Sequence, residues 1–77
     1  MALVRNFERK EMERNSIHEE IQTTYTTFER DGRVFVQIDT YGTAHRKAPG
    51  KRSQTIQLDY DGARALYEIL AREFHFN

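Results

Sequence analysis

From Arg33 to Tyr41 apolar and polar side chains alternate, with Val34, Val36 and Ile38 on one side and Phe35, Gln37, Asp39 and Tyr41 on the other. A period of two predicts a strand with one face on a core. The stretch before it, from Ile17 to Phe28, also alternates, and its TTYTTF run is β-branched and aromatic, which suits a pleated surface. Between the two, Asp31-Gly32 supplies the positive φ values that a tight hairpin needs. A third strand is predicted over Ser53–Leu58, with Gln54, Ile56 and Leu58 inward and Thr55 and Gln57 outward. The period then changes. Ala63, Leu66, Tyr67, Leu70 and Phe74 gather on one side of a helix at 60–74, with Asp59 placed to cap it and Asp61 placed to favour its dipole. This stripe is expected to cover the Val34/Val36/Ile38 face, which leaves Ile69 over, about 120° away at 100° per residue. At the other end, Leu3, Val4 and Phe7 recur at helical spacing with Met12 the only later apolar member, so residues 2–13 read as a short helix or a frayed arm.

The resulting fold is α+β, a small antiparallel sheet of three to four strands with a C-terminal helix across one face. Residues 1–15 form an arm or short N-terminal helix, and residues 16–77 form a single β-β-β-α domain. With 77 residues and no cysteine, the core is small and no disulfide or thiolate metal site reinforces it. Self-association, as a homodimer, is the ordinary remedy. No apolar run approaches the roughly 20 residues of a membrane span, and the start MALVRNFERKEMERN is too charged for an export leader, so the chain reads as cytoplasmic.

Charge changes the picture because it is unevenly spread. Twelve basic and twelve acidic residues cancel overall, yet residues 42–58 hold four basic groups and no acidic one. These are Arg46, Lys47, Lys51 and Arg52, with His45 beside them. A single-sign loop in a balanced chain reads as a solvated loop or as a contact for phosphate or another anion.

No convergent catalytic site can be assembled. His18, His45 and His75 fall on a strand, a loop and a tail, without metal-ligand spacing. Gly50-Lys51-Arg52-Ser53 glances at a phosphate loop, but the earlier glycine such a loop needs is His45. Glu19 and Glu20 are adjacent on a strand and point to opposite faces. The sequence reads as a non-enzyme, with no cofactor and no metal.

What the sequence does offer is a sheet face with Phe28, Phe35 and Tyr41 among Thr24, Thr26, Gln37, Thr55 and Gln57. Rings on a polar sheet beside a basic loop suit single-stranded nucleic acid: bases stack on the rings while Lys and Arg follow the backbone. The candidate site read from this face and loop is therefore Phe28, Phe35, Tyr41, Arg46, Lys47, Lys51 and Arg52. The alternative is a protein-interaction module, such as a phage-encoded inhibitor or a regulatory subunit, whose basic loop docks an acidic partner.

The segments GRVFVQIDTYG, APGKR, SQTIQLD and DGARALYEIL, taken in that order over residues 25–74, resemble the C-terminal domain of the transcriptional positive-cofactor-four family and its bacterial relatives. The resemblance implies a dimeric four-strand-plus-helix fold that binds single-stranded DNA with little sequence preference. It further implies that Phe28 stacks on a base, that Arg33 lies near the backbone, and that Lys51 and Arg52 are the basic pair before the last strand. Two positions depart from the family: Gly42 stands where the family has a base-stacking tryptophan, and Asp39 where it has a basic residue. The pattern RNS…QIDTYG…R…PGK.SQ.IQ is also similar to short bacterial and phage proteins often labelled methionyl-tRNA formyltransferase. A folate-dependent transferase needs a far larger domain and an acid–base pair, and neither is present.

Overall fold

The computed structural model describes residues 1–42 and 51–76. Four strands and one helix follow in the order β1 (Ala2–Val4), β2 (Thr23–Arg30), β3 (Arg33–Tyr41), β4 (Arg52–Leu58) and α1 (Tyr60–Phe74). The fold is a small α+β one, a four-stranded mixed sheet in the order β1-β4-β3-β2 with a C-terminal helix. The β2–β3 and β3–β4 pairings are antiparallel, and β1 adds to β4 in parallel.

The hairpin forms where its turn chemistry puts it. Arg30 pairs with Arg33, so the loop is the two residues Asp31 and Gly32, at φ 55° and 75°. Positive φ at both central positions gives the turn whose twist matches the strands, and Gly32 reaches it without a Cβ penalty. β2 begins at Thr23 and not at Ile17, because β3 has no ladder left to offer beyond Tyr41, whose N–H bonds the Gln22 carbonyl at 3.0 Å. At the same end, Thr40 faces Gln54 while Tyr41 faces Arg52, so Ser53 is the extra residue of a bulge in β4.

The N-terminal segment departs from the helix read over 2–13. Ala2 pairs with Ile56 and Val4 with Leu58, so these residues extend the sheet. The ladder bonds offered by the open edge of β4 outweigh a helical stripe with so few apolar members. Residues 5–22 form a strap with no regular helix or strand, and its side chains are exposed.

The helix is capped as its ends dictate. The Asp59 carboxylate accepts the Gly62 N–H at 2.9 Å, and His75, at φ 59°, closes the last turn with its N–H on the Ala71 carbonyl. Its orientation corrects the expected stripe. Gly62 is buried and Ala65, Leu66 and Ile69 are half-buried, whereas Tyr67, Leu70 and Phe74 are 52%, 37% and 66% exposed. Ile69 therefore belongs with the side that packs on β3 and β4, and most of the large stripe faces outward. The reason lies at Gly62, where a Cβ would collide with the Val4 carbonyl oxygen. That close approach sets the small-residue side of α1 against β1 and β4. Leu58, between them, is the one buried hydrophobic side chain of the core among the described residues.

Candidate functional site

Strand register gathers the predicted polar face. Phe28 pairs with Phe35, Thr26 with Gln37, Thr24 with Asp39, Gln37 with Gln57 and Asp39 with Thr55, so all of these share one side of the sheet. At one end, the Phe28 and Phe35 rings stack with centroids 5.3 Å apart and planes 17° from parallel. The Arg33 guanidinium lies 5.0 Å from the Phe35 centroid, a cation–π arrangement. At the far end the Tyr41 and Thr24 hydroxyls are 3.2 Å apart. Six residues of strand, about 20 Å, separate Phe35 from Tyr41. The aromatic groups thus form two poles of the face, not one continuous platform.

Between the poles runs a chain of polar contacts. The Gln57 amide donates to Gln37 Oε1 at 2.9 Å, and the Gln37 amide donates to Asp39 Oδ2 at 3.1 Å. The Thr55 hydroxyl donates to Asp39 Oδ1 at 2.6 Å, with Arg52 Nη1 at 3.8 Å from the same oxygen. Asp39 is 5% exposed. Its carboxyl is held below the ordinary aspartate value of 3.8, chiefly by the Thr55 hydroxyl and then by Gln37; burial opposes this and Arg52 adds to it. The negative charge of Asp39 is thus engaged by hydrogen-bond donors within the face.

The candidate cations divide. Arg33 Nη2 also donates to Asp59 Oδ2, at 3.3 Å. Arg52 opens β4 beside Asp39, and Lys51, exposed, precedes it. Arg46 and Lys47, with His45, lie outside the described residues. The structure therefore brings Phe28, Arg33 and Phe35 together at one pole, and Tyr41 pairs with Arg52 at the other.

One cluster was not foreseen. Asp59, 3% exposed, receives Arg5 Nε at 2.8 Å as well as Arg33 and the Gly62 amide. The Gly62 N–H is the main cause of its lowered pKa, burial opposes it, and Arg5 and Arg33 contribute further. Asp59 was legible as a helix cap, but nothing local to Arg5 signals a partner so far along the chain. Beside this cluster an open groove of about 690 Å³ runs between the start of α1 and Val34, Val36 and Leu58. No group of three or more His, Asp or Glu side chains that could hold a metal occurs among the described residues. Nor is any helix among them long and apolar enough to cross a membrane.

The fold and this face together define a small α+β chain with a hydrogen-bonded polar sheet surface carrying an aromatic–cation cluster at one end. No family model matches the chain, and no curated protein or solved structure matches it either.

Proposed function

We propose that the chain is a small non-catalytic nucleic-acid-binding module that takes single-stranded DNA or RNA on its polar sheet face and works as a homodimer in the cytoplasm. The observation that carries this reading is the stacked Phe28–Phe35 pair with Arg33 over it. Phe28 lies on the edge strand β2, with no strand beyond it in the sheet, so its ring is reached from the side. Stacking on a ring tolerates any base, which gives affinity without strong sequence preference. Arg52, about 20 Å along the same face, and Lys51 just before it in sequence supply phosphate contacts, and the basic residues Arg46 and Lys47 extend that set in sequence.

A second reading draws on a specific observation. Arg33 and Arg52 each lie beside a carboxylate, Asp59 and Asp39, and the chain has no net charge. Such a surface also suits a protein-interaction module that docks an acidic partner.

Fluorescence anisotropy with a labelled single-stranded oligonucleotide, at about 50 mM and about 200 mM salt, separates the two. The nucleic-acid reading expects binding that weakens steeply as salt rises. Absence of affinity below millimolar at the lower salt overturns it and leaves the protein-docking reading.

A further inference from the structure

The polar sheet face holds a row of side chains with one direction built into it. Leu3 pairs with Gln57, Gln57 with Gln37 and Gln37 with Thr26, so the row crosses all four strands on one side. Asp39 sets the direction, because its carboxylate can only accept hydrogen bonds. The Gln37 carboxamide turns its Nε2 to Asp39, at 3.1 Å, and its Oε1 to Gln57, which donates in turn at 2.9 Å. Neither glutamine can flip without bringing two acceptors together, and each bond polarises the next. The chain of bonds ends at Gln57, which keeps its Oε1 and one N–H for a group outside the protein.

A cavity of about 310 Å³ opens along this row, with Leu3, Gln37, Gln57, Thr55 and Arg52 in its lining. Leu3 is exposed and gives it an apolar wall, and both glutamines are half-buried. Arg52 leans back along the face until its Nη1 stands 3.8 Å from Asp39. An apolar wall, an oriented carboxamide and a guanidinium at the rim match the parts of a nucleotide, a flat base with a polar edge and a phosphate beside it. The position suits a strand as well. Gln37 lies two residues from Phe35, about 7 Å along β3, so a strand with one base on the Phe28–Phe35 rings carries a neighbouring base over this cavity.

Resting on the nucleic-acid reading above, we infer that this cavity takes an adenine base of the bound single strand, with the Gln57 carboxamide as the group that selects it. On the edge that bears N7, adenine sets an acceptor beside its N6 amino donor. On the corresponding edges guanine sets two acceptors, cytosine a lone donor and thymine a lone acceptor. A carboxamide with one acceptor and one donor to offer meets only adenine in full. Arg52, at the rim, faces the phosphate of the same nucleotide. Selection is confined to this one position, because the Phe28 and Phe35 rings stack on any base.

Anisotropy titrations that compare an all-thymine oligonucleotide with the same strand carrying one central adenine test this directly. Wild type is expected to bind the adenine strand about 10-fold tighter. Gln57→Leu, with wild-type circular dichroism, is expected to bind both strands alike and near the wild-type affinity for thymine. Asp39→Asn frees the direction of the row, so it is expected to erase most of the preference although Gln57 is intact, which a packing role for Gln57 would not produce. A central 7-deazaadenine, which lacks N7, is expected to bind like thymine. Adenosine monophosphate is expected not to displace the strand below millimolar, since it brings no neighbouring base to the rings; displacement at micromolar concentration would make the free nucleotide the ligand and overturn the strand. All-uracil RNA with and without one adenine is read alongside, and the preference in either backbone supports the site and names its source. Equal binding in both backbones, or a preference that survives Gln57→Leu or 7-deazaadenine, overturns the adenine site and leaves the nucleic-acid reading standing. Absence of binding to every oligonucleotide overturns both.

Discussion

Arg5 and Asp59 lie 54 positions apart in sequence, yet the Arg5 Nε is 2.8 Å from the Asp59 carboxylate. Since that carboxylate also caps α1, the contact ties β1 to the first turn of the helix. Replacement of Asp59 separates its two roles. Asp59→Ala removes both and is expected to lower the melting temperature by about 4–8 °C, the scale of a lost cap in a domain this size. Asp59→Asn keeps an oxygen for the Gly62 amide while removing the charge that Arg5 and Arg33 face, so its loss is expected to be smaller. Equal losses would show that the ion pairs, and not the cap, carry the effect.

Acid should act through two groups. Asp39 and Asp59 both titrate below 3.8 in the folded chain. A carboxyl with a lowered folded pKa binds more protons when unfolded, so its contribution is whole above the unfolded value and fades as pH falls through the folded one. Thermal melts are expected to be flat with respect to these groups down to about pH 4 and to lose stability below it. In Asp39→Asn that acid-sensitive loss should shrink; an unchanged pH profile would exclude Asp39 as a contributor.

Gly62→Ala tests the close approach of β1 and α1. The added methyl meets the Val4 carbonyl, which is backbone and cannot rotate away. A cost of about 1–3 kcal/mol in denaturant unfolding is expected, accompanied by faster amide exchange in β1. A neutral outcome would mean that β1 shifts without loss.

At the polar face, stacking and phosphate contacts should respond differently. Phe28→Ala is expected to weaken oligonucleotide binding by about 1–3 kcal/mol with the salt dependence unchanged. Lys51→Ala should weaken every oligonucleotide alike and flatten the salt slope by about one contact. A Phe28→Ala variant whose salt slope changes instead would argue against base stacking at that ring. Asp39→Lys is expected to destabilise the face, because Asp39 accepts hydrogen bonds from Thr55 and Gln37 within it.

The parts of the fold legible in sequence are those with a local period. β3 and α1 run over the residues that alternation and capping mark, Arg33–Tyr41 and Tyr60–Phe74. The division of the sheet into a Val34/Val36/Ile38 side and a Phe35/Gln37/Asp39 side also follows from alternation alone. Three residues of β1 are too few to show a period, and their partner strand begins some fifty positions later. The helix posed a different difficulty. It carries two apolar sides, and hydrophobicity favours the larger, but the contact at Gly62 turns the smaller one inward. Among the site residues, the types and the face were legible. The partners that Asp39 and Asp59 supply to Arg52 and Arg33 were not, since each depends on cross-strand or cross-chain placement.

The parallel pairing of β1 with β4 also fixes an order of events. Two residues separate β2 from β3, so that hairpin closes at little cost in chain entropy, whereas Ala2 must find Ile56 across most of the molecule. The edge that closes last is the edge that frays first. When β1 lifts, β4 offers a row of unpaired amides and carbonyls to any extended strand nearby. Arg5, paired with Asp59 just beyond the end of that short strand, holds β1 over this edge of β4.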